Sequence, residues 1–154
     1  GMLSSGQTNL VLFAVEQMEY FDAFIFQNDL LAAVRGNNPS LVKQILSVFP
    51  SKLIINKEFA RSFWDLYRYI HISCQEELLT RFSENTSIPA SVIDEMLMST
   101  LYTREEQFVL FMEVFLSQEH LSPAQEEQIE RMLKERGGSL SKQAQESIQK
   151  LSKF

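Results

Sequence analysis

Residues 28–82 read NDLLAAVRGNNPSLVKQILSVFPSKLIINKEFARSFWDLYRYIHISCQEELLTRF, and the architecture is decided there. Slid by 33 positions, residues 30–49 fall on 63–82: Leu31 meets Trp64, Ala33 meets Leu66, Arg35 meets Arg68, Ser40 meets Ser73, and Phe49 meets Phe82. Each copy is a short apolar helix, a polar break, and a second helix with a capping residue at its start. Asn38 offers a side-chain oxygen to cap the second helix of the first copy. Pro39 behind it takes the first helical position, where a missing N–H costs nothing. In the second copy Ser73 and Glu76 have capping-box spacing. A further 33 residues on, the pattern persists in looser form: Leu97 takes the Leu31 column, Tyr102 the Gly36 and Tyr69 column, and Phe111, Met112 and Phe115 close it. Thr103 and Glu106 then read as another capping box.

The segment from Leu31 to Gly36 (LAAVRG), then NNPS, then the apolar run from Leu41 to Leu46, resembles an ankyrin repeat. That resemblance implies stacked helical hairpins used for binding other proteins. Gly36 would supply the left-handed residue after the first helix. The chain departs from the ankyrin pattern in having no Thr-Pro-Leu-His before any copy and no glycine at Tyr69 or Tyr102. The expected fold class is therefore all-α, with seven or eight helices in stacked antiparallel hairpins, ankyrin-like or of another helical-repeat or orthogonal-bundle kind.

Working outward, residues 8–26 place Leu10, Phe13, Ala14, Met18, Phe21 and Ile25 on one helical face. Residues 50–57 form a connector holding Leu53, Ile54 and Ile55, and residues 58–70 form a helix with Phe59, Phe63, Leu66, Tyr67 and Ile70 inward. Residues 89–101 and 103–117 follow as apolar helices. Ser122, Pro123 and Gln125 combine cap, first-position proline and capping-box glutamine. The helix they start ends at Gly137 and Gly138. With the final helix over 140–154, it forms a polar hairpin that caps the stack.

At 154 residues, the chain is read as one domain over 1–154, with Gly1 before Met2 as a tag remnant. Twelve of its aromatic residues are Phe, which points to a ring-filled core. One cysteine excludes an intramolecular disulfide and fits a reducing, cytoplasmic compartment. No stretch reaches the roughly 20 apolar residues of a membrane span, and no classical signal peptide opens the chain. Net charge is −6, but residues 84–130 hold ten acids against Arg104 alone. Such a segment repels phosphate backbones, so nucleic acid is not expected as a partner. The basic residues beyond 131 are expected to dock on it in cis.

Chemistry is sparse. His71 and Cys74 are three apart, the spacing of a possible Cys–His nucleophile pair. Cys74 also falls on the apolar stripe with Leu78 and Phe82, where a thiol behaves as a small hydrophobe. His120 reads as an exposed loop residue. Paired cysteine or histidine motifs for zinc are missing, as is any glycine-rich phosphate loop, so no cofactor or metal is expected. The expected function is a non-catalytic protein-interaction module whose partner, another protein, meets loop tips and first-helix ends: Arg35, Asn37, Arg68, Tyr69, Tyr102 and Arg104. One alternative is an acidic secretion adaptor or chaperone docking through residues 94–130. Another is an exported bacterial effector, because the Glu-rich 125–135 before a Ser/Lys-rich end is similar to type IV secretion signals. The third is a Cys74-dependent enzyme.

Overall fold

The computed structural model describes residues 27–36, 38–48 and 57–151. Its described residues form eight α-helices and one 3-10 helix, with no strand, so the fold is all-α. The chain divides into two compact units, Gly1–Arg81 and Phe82–Phe154. The helix expected over 8–26 and all of the 50–57 connector except Lys57 lie outside the described residues.

In the first unit α1 (Gln27–Gly36) turns into α2 (Pro39–Val48), packing against it and against α3 (Lys57–Asp65). The turn follows the sequence chemistry: the Leu41 amide donates to Asn38 Oδ1 at 3.0 Å, and Pro39 opens the helix. Val42, Ile45 and Leu46 then share the buried face with Leu41. In α3, Phe59 and Phe63 are buried with ring centroids 5.6 Å apart.

Two expectations are corrected here. The helix over 58–70 stops at Asp65, and Tyr67–Tyr69 continue as a 3-10 turn, with the Tyr69 amide donating to the Leu66 carbonyl at 2.9 Å. Tightening the turn stacks Tyr67 on Trp64 with ring centroids 4.7 Å apart, and the Gln75 side chain donates from Nε2 to the Tyr67 carbonyl at 2.8 Å. Next, α4 (Ile72–Ser83) is not capped by Ser73. It starts two residues earlier than a Ser73 cap would set it, and His71 is its cap: the Ser73 amide donates to His71 Nδ1 at 3.2 Å. The ring nitrogen takes the part a hydroxyl or carboxamide oxygen plays elsewhere.

The second unit is built around α6 (Glu105–Leu116), which follows α5 (Ala90–Thr100) and precedes α7 (Pro123–Gly137) and α8 (Lys142–Leu151). Phe108, Phe111, Met112, Val114, Phe115 and Leu116 are all buried, so α6 is apolar around most of its circumference and needs cover on several sides. α5 lies against it on one side and α8 on another, while α7 takes its place on α5. The last two helices therefore find their main neighbours elsewhere rather than in each other, α8 against α6 and α7 against α5. Ser122 and Gln125 form the expected capping box, with bonds of 3.1 and 3.0 Å. Thr103 does not cap α6; its hydroxyl donates back to the Thr100 carbonyl, and the N-cap is Arg104 without a side-chain cap bond. Glu105 instead accepts from the Ser141 amide at the start of α8. Gly138 has φ −69°, in the right-handed region, so α7 ends without a left-handed residue. The Gln145 side chain closes that end by donating to the Gly137 carbonyl at 2.7 Å.

Candidate protein-interaction surface

The repeat columns that nominate Arg35, Arg68 and Tyr69 place them at the ends of α1 and of the α3 segment, all exposed and all in the first unit. The structure brings two of them together: the Arg35 guanidinium lies over the Tyr69 ring, 5.5 Å from its centroid. At an exposed site such an interaction contributes about 0.5–1 kcal/mol. A depression of about 310 Å³ with a mixed lining sits between α1 and α3, its polar side made by Asn28, Arg35, Ser62 and Asp65 and its apolar side by Leu31, Ala32 and Leu66. Asn37, nominated with them, lies outside the described residues.

Tyr102 and Arg104 belong to the second unit, at the turn joining α5 to α6. Tyr102 is 91% exposed, and Leu101 beside it is 49% exposed although the apolar periodicity of α5 puts it on the inward stripe. Met98, outside the residues nominated from the sequence, is 68% exposed. With Val92, Ile93, Met96 and Leu97 buried, Met98 falls on the opposite side of α5, while Leu101 is the C-cap of the helix and Tyr102 stands in the turn beyond it. These three exposed side chains are the apolar ridge at the carboxyl end of α5. The signal for Met98 is present in the sequence: an apolar residue lying off the stripe its neighbours define.

A cation fixes the turn beneath that ridge. Arg136 of α7 donates to the Thr100 carbonyl at 3.1 Å and to the Thr103 carbonyl at 2.9 Å, with its guanidinium 4.2 Å from the Phe108 ring centroid. A positive group at the carboxyl end of α5 shares the Thr100 carbonyl with the Thr103 hydroxyl and complements the helix dipole. Leu101 and Tyr102 therefore project from a braced turn.

Cys74 is fully buried and its thiol donates to the Pro39 carbonyl at 3.3 Å. The His71 ring is exposed and engaged with Ser73, its Nδ1 2.9 Å from the hydroxyl. His120 is exposed in the loop before α7. Burial raises the Glu113 carboxyl above its ordinary range and pushes the Tyr67 phenol up to about 12. Among the described residues no group of three or more His, Cys, Asp or Glu could hold a metal, and no helix is long and apolar enough to cross a membrane.

The chain is thus an all-α protein of two compact helical units, each carrying exposed aromatic and apolar side chains at helix ends. No protein-family model, curated protein or solved structure matches it.

Proposed function

We propose that this chain is a non-catalytic protein-interaction module that engages a partner protein through the Met98–Leu101–Tyr102 ridge. The observation that carries the reading is the exposure of three large apolar side chains grouped at one helix end. Single exposed apolar residues are ordinary, whereas a contiguous group exposes surface that a partner would remove from water. Methionine adapts its shape to a partner and tyrosine brings a large, stiff side chain, which suits both to an interface. The Arg136 brace supports the reading, because a turn already held in place loses less conformational freedom on binding. Arg35, Arg68 and Tyr69 form a second exposed group, which the ankyrin resemblance would also place at a binding rim.

The test is affinity capture with quantitative mass spectrometry, comparing the wild-type chain with Met98→Ser/Leu101→Ser/Tyr102→Ser. All three residues are substantially exposed, so the helical circular dichroism should be unchanged. One or more proteins should be recovered by the wild type and lost by the triple variant, while Glu126→Lys/Glu127→Lys on α7 retains them. Equal recovery by wild type and triple variant would refute this surface.

A further inference from the structure

The ridge lies in acidic surroundings, and that charge narrows what can cover it. One turn before Met98 on α5 stand Asp94 and Glu95, at the spacings that put them beside it on the helix surface. Asp94 is exposed, and its Oδ1 accepts from the Gln125 side chain at 2.8 Å, which fixes the carboxylate in place. Glu106 is exposed just beyond the turn. Residues 84–130 hold ten acids, with Arg104 the sole base to set against them. At the Met98 end a partner therefore meets the Asp94 and Glu95 carboxylates, where a like-charged segment would be repelled, while Arg104 and the Arg136 guanidinium lie at the turn end.

Geometry selects the form of the segment as well. The described residues contain no strand, so no sheet edge is offered there for an added strand. Side chains at 98, 101 and 102 instead make a short ridge at a helix end, which fits the groove between apolar residues of a second helix. We infer that the Met98–Leu101–Tyr102 ridge binds a cationic amphipathic helix of a partner protein, its apolar stripe on the ridge and its basic residues toward Asp94 and Glu95. The inference rests on the interaction reading above and adds the partner's chemistry.

The probe is a fluorescein-labelled 18-residue peptide of Leu and Lys with its leucines on one helical face, titrated with the full chain by fluorescence anisotropy. Two control peptides accompany it: one with Glu in place of every Lys, and one of identical Leu/Lys composition with the leucines dispersed around the helix. Binding of the first peptide, with both controls at least tenfold weaker, is the expected result. Met98→Ser/Tyr102→Ser should weaken binding at least tenfold. Asp94→Asn/Glu95→Gln, which keeps shape and the Gln125 bond while removing charge, should weaken it at least threefold and flatten its salt dependence. No binding of the amphipathic Leu/Lys peptide, equal binding of either control, or wild-type affinity in the Met98→Ser/Tyr102→Ser variant would each overturn the inference. If the triple variant loses its captured partner and yet the Leu/Lys peptide does not bind, the surface stands and the cationic helix falls. If capture survives in that variant, the surface itself is wrong.

Discussion

Gln118 offers the sharpest test of what holds the second unit together. Its amide is buried behind α6, where Nε2 donates to the Asn85 carbonyl at 2.7 Å and to the Val114 carbonyl at 2.9 Å. Oε1 accepts from the Ile88 amide at 2.9 Å. One side chain thus ties the segment before α5 to the end of α6, and the Glu119 amide adds a bond to the Thr86 carbonyl. Gln118→Ala removes three hydrogen bonds at once, each contributing about 1 kcal/mol net, so about 3 kcal/mol should be lost. At roughly 2–4 °C per kcal/mol for a chain of this size, Tm should fall by about 6–12 °C. Thermal unfolding followed by circular dichroism reads the fall. Hydrogen exchange locates it, with the Ile88 amide exchanging at least tenfold faster. Gln118→Glu sharpens the case: an ionised carboxylate has no donor for either carbonyl, so its loss should exceed that of alanine at neutral pH. Protonation restores one donor, and the loss should shrink in acid. A Tm fall under about 2 °C for Gln118→Ala would refute the reasoning, because three buried bonds cannot vanish at so small a cost.

Three further outcomes follow from the geometry. Burial raises the Glu113 pKa, so the folded chain holds that proton more tightly than the unfolded one. The Glu113 contribution to stability is full in acid and is lost as pH rises from the ordinary 4.5 through the raised value; Glu113→Gln should flatten that part of a urea-denaturation profile, and an unchanged profile would contradict it. His71→Ala should cost about 1 kcal/mol by uncapping α4, and His71→Asn should recover most of it, since a carboxamide oxygen can take the Ser73 amide. The Cys74 thiol, fully buried, should react with iodoacetamide at neutral pH only as fast as the native chain opens; rapid stoichiometric labelling of folded protein would revive the thiol-enzyme alternative.

Residue patterns alone reveal the all-α class and most helix starts. Asn38, Pro39 and the Ser122–Gln125 pair act on backbone groups within one turn of themselves, so their effect is visible in a few residues of text. The candidate rim is partly legible too, since the 33-residue register picks out Tyr69 and Tyr102, both of which are exposed. Periodicity gives the direction of a stripe, not how far along it the cover extends. It therefore passes over Met98 and runs the α5 stripe on to Leu101, although the 33-residue register also sets Leu101 in the exposed column of Arg35 and Arg68.

Apart from the local His71 cap of α4 and the Thr103 bond to Thr100, what tertiary structure decided turns on groups brought in from elsewhere in the chain. Gln75 catches the Tyr67 carbonyl where the sequence pattern continues an α-helix, and Arg136 reaches back 33 residues to brace the Thr103 turn. Glu105 is drawn to Ser141, and α8 is drawn onto α6. Local chemistry sets where a helix can begin; which orphaned carbonyl meets which distant donor depends on how the apolar faces come to rest.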